Sequence, residues 1–459
     1  MSDDKLHILI AGAGIAGLTL AIMLEKIPNV RYTILERAHE FKALGSSIVL
    51  SPQVLRVYDQ LGILEEMRAR SSAFMATVYL RKDFSVIGQG STKPCEERFG
   101  YHMRVFSRPD LMDILLSHVP AEKVRFGKRV LSLSQNQEGV MVRCTDGTTM
   151  HGDILVGADG AYSAVRQSMF EAMKKKGTNV PEADLSSLRF EQFSILGTTS
   201  RIDHLYQLPR KGCTMYNVMP TNEHDIYVYV LDFDDGRLGW RLSGPSLTKY
   251  AKDEANFRLS DWDSESIDGL KNQLVDAPAP IVGTIGQLFE HTQSISRIML
   301  EDKFYETWHH GRTVLIGDAC HKVIPAAGQG ANQSILDCIC LANLIAELPS
   351  SKADDVEKVF RKYYDLRAPI AEKAVKTSKT LGKLICTHSF FGIILRTIFI
   401  KLMGIMAARS MDTLYSGRPI LNYLPHLPLK GFVPDSSLPM TLGLPHSNGN
   451  GKNGEATAI

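Results

Sequence analysis

The chain contains no Cys-x-x-Cys pair and no histidine cluster at metal-ligand spacing. Its seven cysteines, Cys95, Cys144, Cys213, Cys320, Cys338, Cys340 and Cys386, are odd in number and scattered over 459 residues. That pattern argues against a zinc site, and unpaired thiols fit a reducing, cytoplasmic compartment. An excess of one charge is also lacking: Lys+Arg number 52 and Asp+Glu 50, a formal net charge of +2. Such balance argues against nucleic-acid binding by bulk charge. Met1-Ser2-Asp3-Asp4-Lys5 is polar and leads at once into an apolar strand, which does not read as a secretory signal. No internal repeat is visible. What is present, 44% hydrophobic and 22% charged residues, suits a globular protein of two or three substructures.

His7 to Ala11 reads as a buried strand, Ile15 to Lys26 as a helix, and Arg31 to Leu35 as a second strand ending at Glu36. This is a βαβ unit of about 30 residues. The stretch after Leu50, through Arg68, reads as helical, with Ser51 as cap and Pro52 in the first turn. Met75 to Gly88 reads as strands, and Arg108 to Val119 as a helix behind Ser107. Val130 to Arg143 reads as a hairpin and Ile154 to Gly157 as another buried strand. From Leu188 to Asp232 the period shifts toward two, as in Tyr227 to Leu231, which implies an inserted, mostly antiparallel sheet. Thr313 to Ile316 returns to buried-strand character, and a long helix follows to about Leu348. Beyond Ser350 the pattern predicts two amphipathic helices broken near Arg367-Ala368-Pro369. Phe390 to Ala408 is apolar almost all round, interrupted by Arg396 and Lys401. The tail from Leu442 is polar and rich in Gly and Asn, and reads as disordered.

Gly12-x-Gly14-x-x-Gly17 lies between the first strand and helix. The first glycine permits the tight turn, the second lets a pyrophosphate approach, and the third lets helix and strand pack closely. The helix N-terminus supplies N–H groups for the phosphates. Glu36, nineteen residues after Gly17, stands where a carboxylate accepts the adenosine ribose hydroxyls. That carboxylate favours a free 2′-hydroxyl, so NADP is not expected at this turn. The motif alone does not separate NAD from FAD.

Two later segments separate them. Gly157-Ala158-Asp159-Gly160 follows a strand and leads to Ser163 and Arg166. Gly317-Asp318-Ala319-Cys320-His321 follows another, and continues through Pro325 and Gly328-Gln329-Gly330-Ala331-Asn332 to Asp337. In this order the three segments resemble the group A flavin monooxygenases, which have the para-hydroxybenzoate hydroxylase fold. The resemblance spans roughly residues 5 to 375, including Tyr364-x-x-Arg367-x-Pro369.

The resemblance implies an α/β fold: a Rossmann-like FAD-binding domain (1–74, 100–180 and 296–350) with an inserted substrate sheet (75–99 and 181–295). A helical C-terminal region (351–441) and the tail (442–459) follow. It implies that Gly12, Gly14, Gly17 and Glu36 hold the ADP part of FAD, that Gly317 and Asp318 hold the ribitol, and that Gly328, Gly330, Ala331 and Asn332 lie against the flavin ring. Arg108 would contact FAD, and Asp159 and Gly160 would serve both FAD and NAD(P)H. Gly45-Ser46-Ser47-Ile48-Val49 would approach the flavin through its backbone, although it departs from the GAGI and GASIG patterns, and Val49 is the residue assigned. His321 reads as a packing or hydrogen-bonding residue, Cys320 as a small buried residue rather than a covalent flavin link, and Asp337 as a cap or pair within its helix as readily as a functional group.

The implied reaction is that of a monooxygenase. NAD(P)H, a transient co-substrate, reduces FAD. Dioxygen is captured as the flavin C4a-hydroperoxide, and one oxygen atom passes to an electron-rich aromatic or prenylated small molecule. No catalytic side chain is singled out. Tyr206, Arg210, Tyr216, Tyr227 and Tyr229 are the polar candidates for substrate contact. A flavin disulfide reductase is disfavoured by the absence of a CxxxxC pair, and a halogenase by the absence of WxWxIP. Arg418-Pro419, Tyr423-Leu424-Pro425 and Val433-Pro434 are similar to the tails of fungal secondary-metabolite flavin monooxygenases, some of which epoxidise prenyl chains. Epoxidising relatives tend to carry an arginine in the first substrate-domain strand; Glu191-Gln192-Phe193-Ser194 has none and only Arg189 is near, which counts against epoxidation, and hydroxylation and epoxidation both stay open. A reductase or dehydrogenase without oxygen insertion, or an inactive flavin-binding protein, are the alternatives. Phe390 to Ala408 is read either as peripheral contact with the cytosolic face of a membrane or as a buried helix. Arg396 and Lys401 within it count against a transmembrane span.

Overall fold

The computed structural model describes residues 5–40, 47–206, 212–221, 226–244, 272, 274–293, 295–437 and 440–442. The chain opens with β1 (Leu6–Ala11), α1 (Ile15–Leu24) and β2 (Val30–Leu35). Ile8, Leu9 and Ile10 are all fully buried, so both faces of β1 are covered, as a parallel strand between helices requires. Next come β3 (Ser47–Leu50), α2 (Pro52–Gln60) and α3 (Leu64–Ala69). The helical stretch expected through Arg68 is thus two helices. Gly62 between them takes a φ of +79°, a left-handed conformation that ends a helix. Ser51 stands at the N-cap of α2, but its hydroxyl makes no capping bond.

The chain continues through β4 (Ser72–Leu80), β5 (Val86–Ser91), β6 (Arg104–Ser107), α4 (Arg108–Ser117) and β7 (Val124–Arg125). The Ser107 hydroxyl caps α4 by accepting from Asp110 N at 3.2 Å. After a small meander over 130–152 come β8 (Ile154–Gly157), α5 (Ala164–Lys175), β9 (Arg189–Thr198), β10 (Cys213–Val218), β11 (Tyr227–Asp232) and β12 (Leu238–Ser243). The rest comprises β13 (Ile295–Phe304), β14 (His309–His310), β15 (Thr313–Leu315), β16 (His321–Lys322), α6 (Gly330–Ala346), α7 (Ala353–Ile385) and α8 (Phe390–Tyr415).

Two main sheets result among the described residues. The first has six strands in the order β14-β15-β8-β1-β2-β7, parallel except for the β14 edge. The second has ten, in the order β16-β13-β9-β12-β11-β10-β4-β6-β3 with β5 added on β4. It is mostly antiparallel, β10 and β4 being the parallel pair.

Helix α7 runs unbroken through Pro369, contrary to the expected break. The proline removes one backbone bond, a cost of about 3 kcal/mol. Val356, Val359 and Phe360 on the same helix are fully buried, each contributing roughly 1.5–3 kcal/mol, so packing outweighs the local preference. Helix α8 is not uniformly apolar in its surroundings. Ile400 packs over Gly88 of β5, where an added Cβ would come within 2.9 Å of it. The Arg396 guanidinium is buried and donates to Ile385 O at 2.8 Å and Pro220 O at 2.7 Å. Phe390 and Phe391, by contrast, are 73% and 82% exposed. The tail expected to be disordered lies outside the described residues beyond Leu442.

Candidate active site

The parallel register aligns Ala11 with Leu35, Ala11 with Gly157, and Gly157 with Leu315. Four strands therefore end in one row, and every glycine-bearing segment leaves the sheet there. The crevice outside the carboxyl ends of such strands is where α/β sheets bind ligands.

Gly12 turns sharply with a φ of +103°, and a Cβ on it would lie 2.5 Å from Ala158 O. A Cβ on Gly17 would lie 2.0 Å from Gly12 O. Both positions are closed by the protein itself. Gly14 differs: its φ is −77° and no atom lies within 4 Å of its Cβ position. Nothing among the described residues requires glycine there. The open space faces the first turn of α1, whose leading N–H groups no helical carbonyl reaches. This cradle fits the pyrophosphate of a dinucleotide. Glu36 stands beside it, accepting from Ala13 N at 2.7 Å and Ala38 N at 2.9 Å.

Asp159 begins the next turn. One of its oxygens accepts from Ala164 N at 2.8 Å and Val165 N at 3.1 Å, opening α5. The other is buried without a partner. Burial pushes its carboxyl above the usual range, against the Ser163 hydroxyl and these amides. Gly160 follows with a φ of +82° and open space beyond its Cβ position. Arg166 fastens this turn to the third segment by donating to Ala319 O at 2.7 Å, while its guanidinium lies 4.0 Å over the Tyr305 ring.

Gly317 has a φ of +61° and donates its N–H to Asp337 at 2.9 Å. Asp318 is ion-paired with Lys322, a residue the sequence reading missed. It also faces Arg108 at the start of α4. Arg108 is exposed to the cleft, yet the surrounding protein pulls its guanidinium below its ordinary value while Asp318 opposes that effect.

Asn332, in the first turn of α6, is buried. It accepts from Ser51 N at 2.9 Å and donates to Val49 O and Gly328 O, each at 2.9 Å. Val49 and the Gly328-to-Asn332 loop thus meet. Gly330 opens α6 and Ala331 follows it. Gly45 and Ser46 lie outside the described residues.

Beneath this floor Asp337 is fully buried. It accepts from Arg367 Nε at 2.9 Å and His321 Nε2 at 2.6 Å as well as from Gly317. Burial opposes its ionisation, but His321, Arg367 and the Gly317 amide outweigh that and hold the carboxyl below the usual range. Donor atoms of Cys320, His321 and Asp337 lie within 4.8 Å of one another. The Arg367 cation already occupies the carboxylate, so the cluster acts as a strut. Burial, with Asp337 beside it, pushes the Cys320 thiol well above its ordinary value, which leaves a packed neutral thiol rather than a nucleophile.

The second sheet meets the same loops. Tyr229 shares a 3.2 Å hydrogen bond with Ser47 of β3. Tyr227 OH donates to Asn217 Oδ1 at 2.5 Å. The Arg241 guanidinium, opposite Tyr229 in register, lies 5.4 Å from the Tyr229 ring and 5.6 Å from the Tyr227 ring. Burial pushes the Tyr229 phenol up to about 12, so it is neutral near pH 7. Tyr216 points to the opposite face, packing with Val78 and the cluster around Trp240. Arg210 and the Tyr206 side chain lie outside the described residues. Arg241 escaped sequence reading, although its phase against buried Trp240 placed it on the other face of β12.

Residues 5–246 and 271–378 match the family model described as FAD binding domain. The FAD-dependent monooxygenase ptmM of Penicillium ochrochloron is 28% identical over 437 residues, covering 93% of this chain and 100% of that protein. The FAD-dependent monooxygenase cle3 of Aspergillus versicolor is 30% identical over 394 residues, covering 82% and 76% respectively. Among solved structures, Klebsiella pneumoniae HpxO complexed with FAD and uric acid superposes with a TM-score of 0.72 at 22% identity, covering 89% of this chain and 97% of that one. A salicylate hydroxylase substrate complex gives a TM-score of 0.64 at 21% identity, covering 90% and 96%.

Proposed function

The chain belongs to the FAD binding domain family and is an FAD-dependent monooxygenase of the fungal secondary-metabolism type, and from that premise we propose that it takes electrons from NAD(P)H and inserts one atom of dioxygen into an electron-rich aromatic or prenylated small molecule. The observation that carries this reading is the convergence of three glycine-bearing turns on one row of strand ends, with β3 of the second sheet tied to the Gly328-to-Asn332 loop through Val49 and Asn332.

Gly12 to Gly17 and the α1 N-terminus receive the pyrophosphate, and Glu36 receives the ribose hydroxyls. Asp318, with Arg108 opposite, receives the polyol chain. Asn332 sets the loop against which the ring lies, through Val49 and Gly328. Asp159 and Gly160 line the approach for NAD(P)H. The bound flavin supplies electron storage and oxygen activation, and the protein supplies orientation and a water-poor site. The test is anaerobic mixing of the FAD-loaded protein with NADPH and with NADH. Flavin bleaching by either supports the reading, and no bleaching by either, with or without aromatic additives, contradicts it.

A separate observation favours a membrane-peripheral location on the cytosolic side. Phe390, Phe391, Ile394, Leu395, Ile398, Phe399 and Leu402 of α8 are all exposed, a stripe at helical spacing of the kind that lies in a bilayer interface. No single helix among the described residues is long and apolar enough to cross a membrane, and α7 meets the first part of α8 at 114°. The described cysteines are free thiols, in keeping with a reducing compartment. Replacing Phe390 and Phe391 by Ser is expected to abolish sedimentation with phosphatidylcholine vesicles. Unchanged sedimentation, or none by the parent protein, removes the membrane proposal.

A further inference from the structure

Phe84 holds a backbone conformation that its side chain disfavours. Its φ is +62°, in the left-handed region where a bulky residue is a steric outlier. It stands at the tip of the β4–β5 hairpin, at the position where a tight three-residue loop ordinarily carries glycine. Phe84 N donates to Arg81 O at 3.0 Å, and Arg81 N donates to Ser85 O at 2.9 Å, closing the turn. The Asp83 carboxylate accepts from Ser85 N at 2.9 Å and from the Ser85 hydroxyl at 2.6 Å. The phenyl ring takes no part in these bonds. It is 37% exposed, and Val86 close by is 58% exposed. A bulky residue kept in a strained turn that glycine would close equally well points to a contact made by its ring outside the fold.

The hairpin runs beside α8. A Cβ on Gly88 would press on Ile400, and one on Gly90 would lie 4.0 Å from the Met403 side chain. The two pairs advance in the same direction. Followed back, the hairpin tip and the Phe390 end of α8 therefore lie toward the same end. The charge there has one prevailing sign. Arg81 and Lys82, just before Phe84 in the turn, are exposed, as are Lys383 in the last turn of α7 and Lys401 on α8. No Asp or Glu occurs from Lys373 to Lys401, and Asp83 at the tip is engaged by Ser85. Exposed apolar side chains bordered by cations complement a bilayer whose headgroups carry negative charge, because that surface offers an acyl layer and an anionic layer together.

We propose that the β4–β5 hairpin tip is a second membrane-docking element, which seats Phe84 and Val86 in the bilayer interface beside the α8 stripe and sets Arg81 and Lys82 against the phosphates of anionic lipids. This rests on the membrane-peripheral reading and adds to it a second anchor and a lipid class. Contact along one helix leaves the protein free to roll about that helix. A second contact beside it, from a distant part of the sequence, removes that freedom and fixes which side of the second sheet faces the bilayer.

The test uses the full FAD-loaded chain and sedimentation with two kinds of vesicle: phosphatidylcholine alone, and phosphatidylcholine with phosphatidylserine in a two-to-one ratio. The parent protein is expected to bind the mixed vesicles at least about 10-fold more tightly. Phe84→Gly suits the left-handed turn, so it is expected to keep the parent's unfolding temperature. It is nevertheless expected to bind both kinds of vesicle at least about 5-fold more weakly, through the loss of buried apolar surface. A ring with only a structural role gives the reverse, a lower unfolding temperature with parent-like binding. Arg81→Gln combined with Lys82→Gln is expected to weaken binding to mixed vesicles by about 10- to 30-fold and to leave binding to phosphatidylcholine within about two-fold. Phe84→Trp supplies a local signal, and its emission is expected to shift to the blue when vesicles are added, beyond any change in the parent. Parent-like binding by Phe84→Gly, an unchanged lipid preference in the double variant, or no blue shift overturns the proposal. So does a dimer of the parent that Phe84→Gly dissociates, which would give this face to a second copy of the chain. If Phe84→Gly binds as the parent does while Ser at Phe390 and Phe391 abolishes sedimentation, the hairpin anchor falls and the membrane reading stands. No sedimentation of the parent with either vesicle removes both.

Discussion

The Asn332 carboxamide donates to the Val49 carbonyl at 2.9 Å across 283 positions of sequence. The same side chain accepts from Ser51 N and donates to Gly328 O. One buried amide therefore fixes both loops that would flank a flavin ring. In Asn332→Ala, groups left unpaired cost about 1–3 kcal/mol each. The variant is expected to retain less FAD on dialysis, with at least about 10-fold weaker affinity, and to unfold at a lower temperature. Parent-like FAD retention would show that the loops keep their places without this clip.

The glycine turn separates folding from cofactor binding. Gly17→Ala places a Cβ 2.0 Å from Gly12 O, so it is expected to lower yield and thermal stability. Gly14→Ala has open space at the same test. It is expected to fold as the parent does and to lose FAD affinity, because the methyl occupies the pyrophosphate's approach. Circular dichroism and flavin titration of the pair check this. Parent-like FAD affinity in Gly14→Ala would remove the turn from the cofactor site.

Asp318→Ala is expected to empty the flavin site while leaving the fold intact, since the carboxylate is only partly buried and faces Lys322 and Arg108. An unpartnered polyol hydroxyl costs about 1–3 kcal/mol. Full FAD retention on gel filtration, with unchanged thermal unfolding, would place the polyol elsewhere.

The strut beneath the floor has a pH signature. The Asp337 carboxyl is held below the usual range in the folded protein. Its stabilising effect is therefore present above the unfolded value of about 4 and is lost as pH falls through the lower folded value. Asp337→Asn breaks the buried pair with Arg367, an effect of about 3–5 kcal/mol. Urea midpoints measured from pH 7 down to pH 3 are expected to fall less steeply in the variant than in the parent. Parallel curves would assign the acid sensitivity to other groups.

Much of this was legible in sequence because local rules produce it. The Gly12 turn, the Ser107 cap and the alternation of β11 each follow from a few adjacent residues. The contacts that assemble the site are not local. Arg166 to Ala319, Asn332 to Val49 and Arg367 to Asp337 depend on which strands pair. Pro369 misled because its local cost is visible and the burial that outweighs it is not. Arg241 was missed because an arginine on a strand ordinarily faces water. Its stacking on the Tyr227 and Tyr229 rings is apparent only once β11 and β12 are paired.

The central claim is oxygen insertion. The direct measurement is product mass after turnover of the FAD-loaded protein with NAD(P)H under isotopically heavy dioxygen, using simple phenols and prenylated phenols. The account predicts a product carrying one heavy oxygen atom, formed in step with NAD(P)H consumption. A product that has lost hydrogen or gained it without heavy oxygen would mean a dehydrogenase or reductase, and would contradict the account.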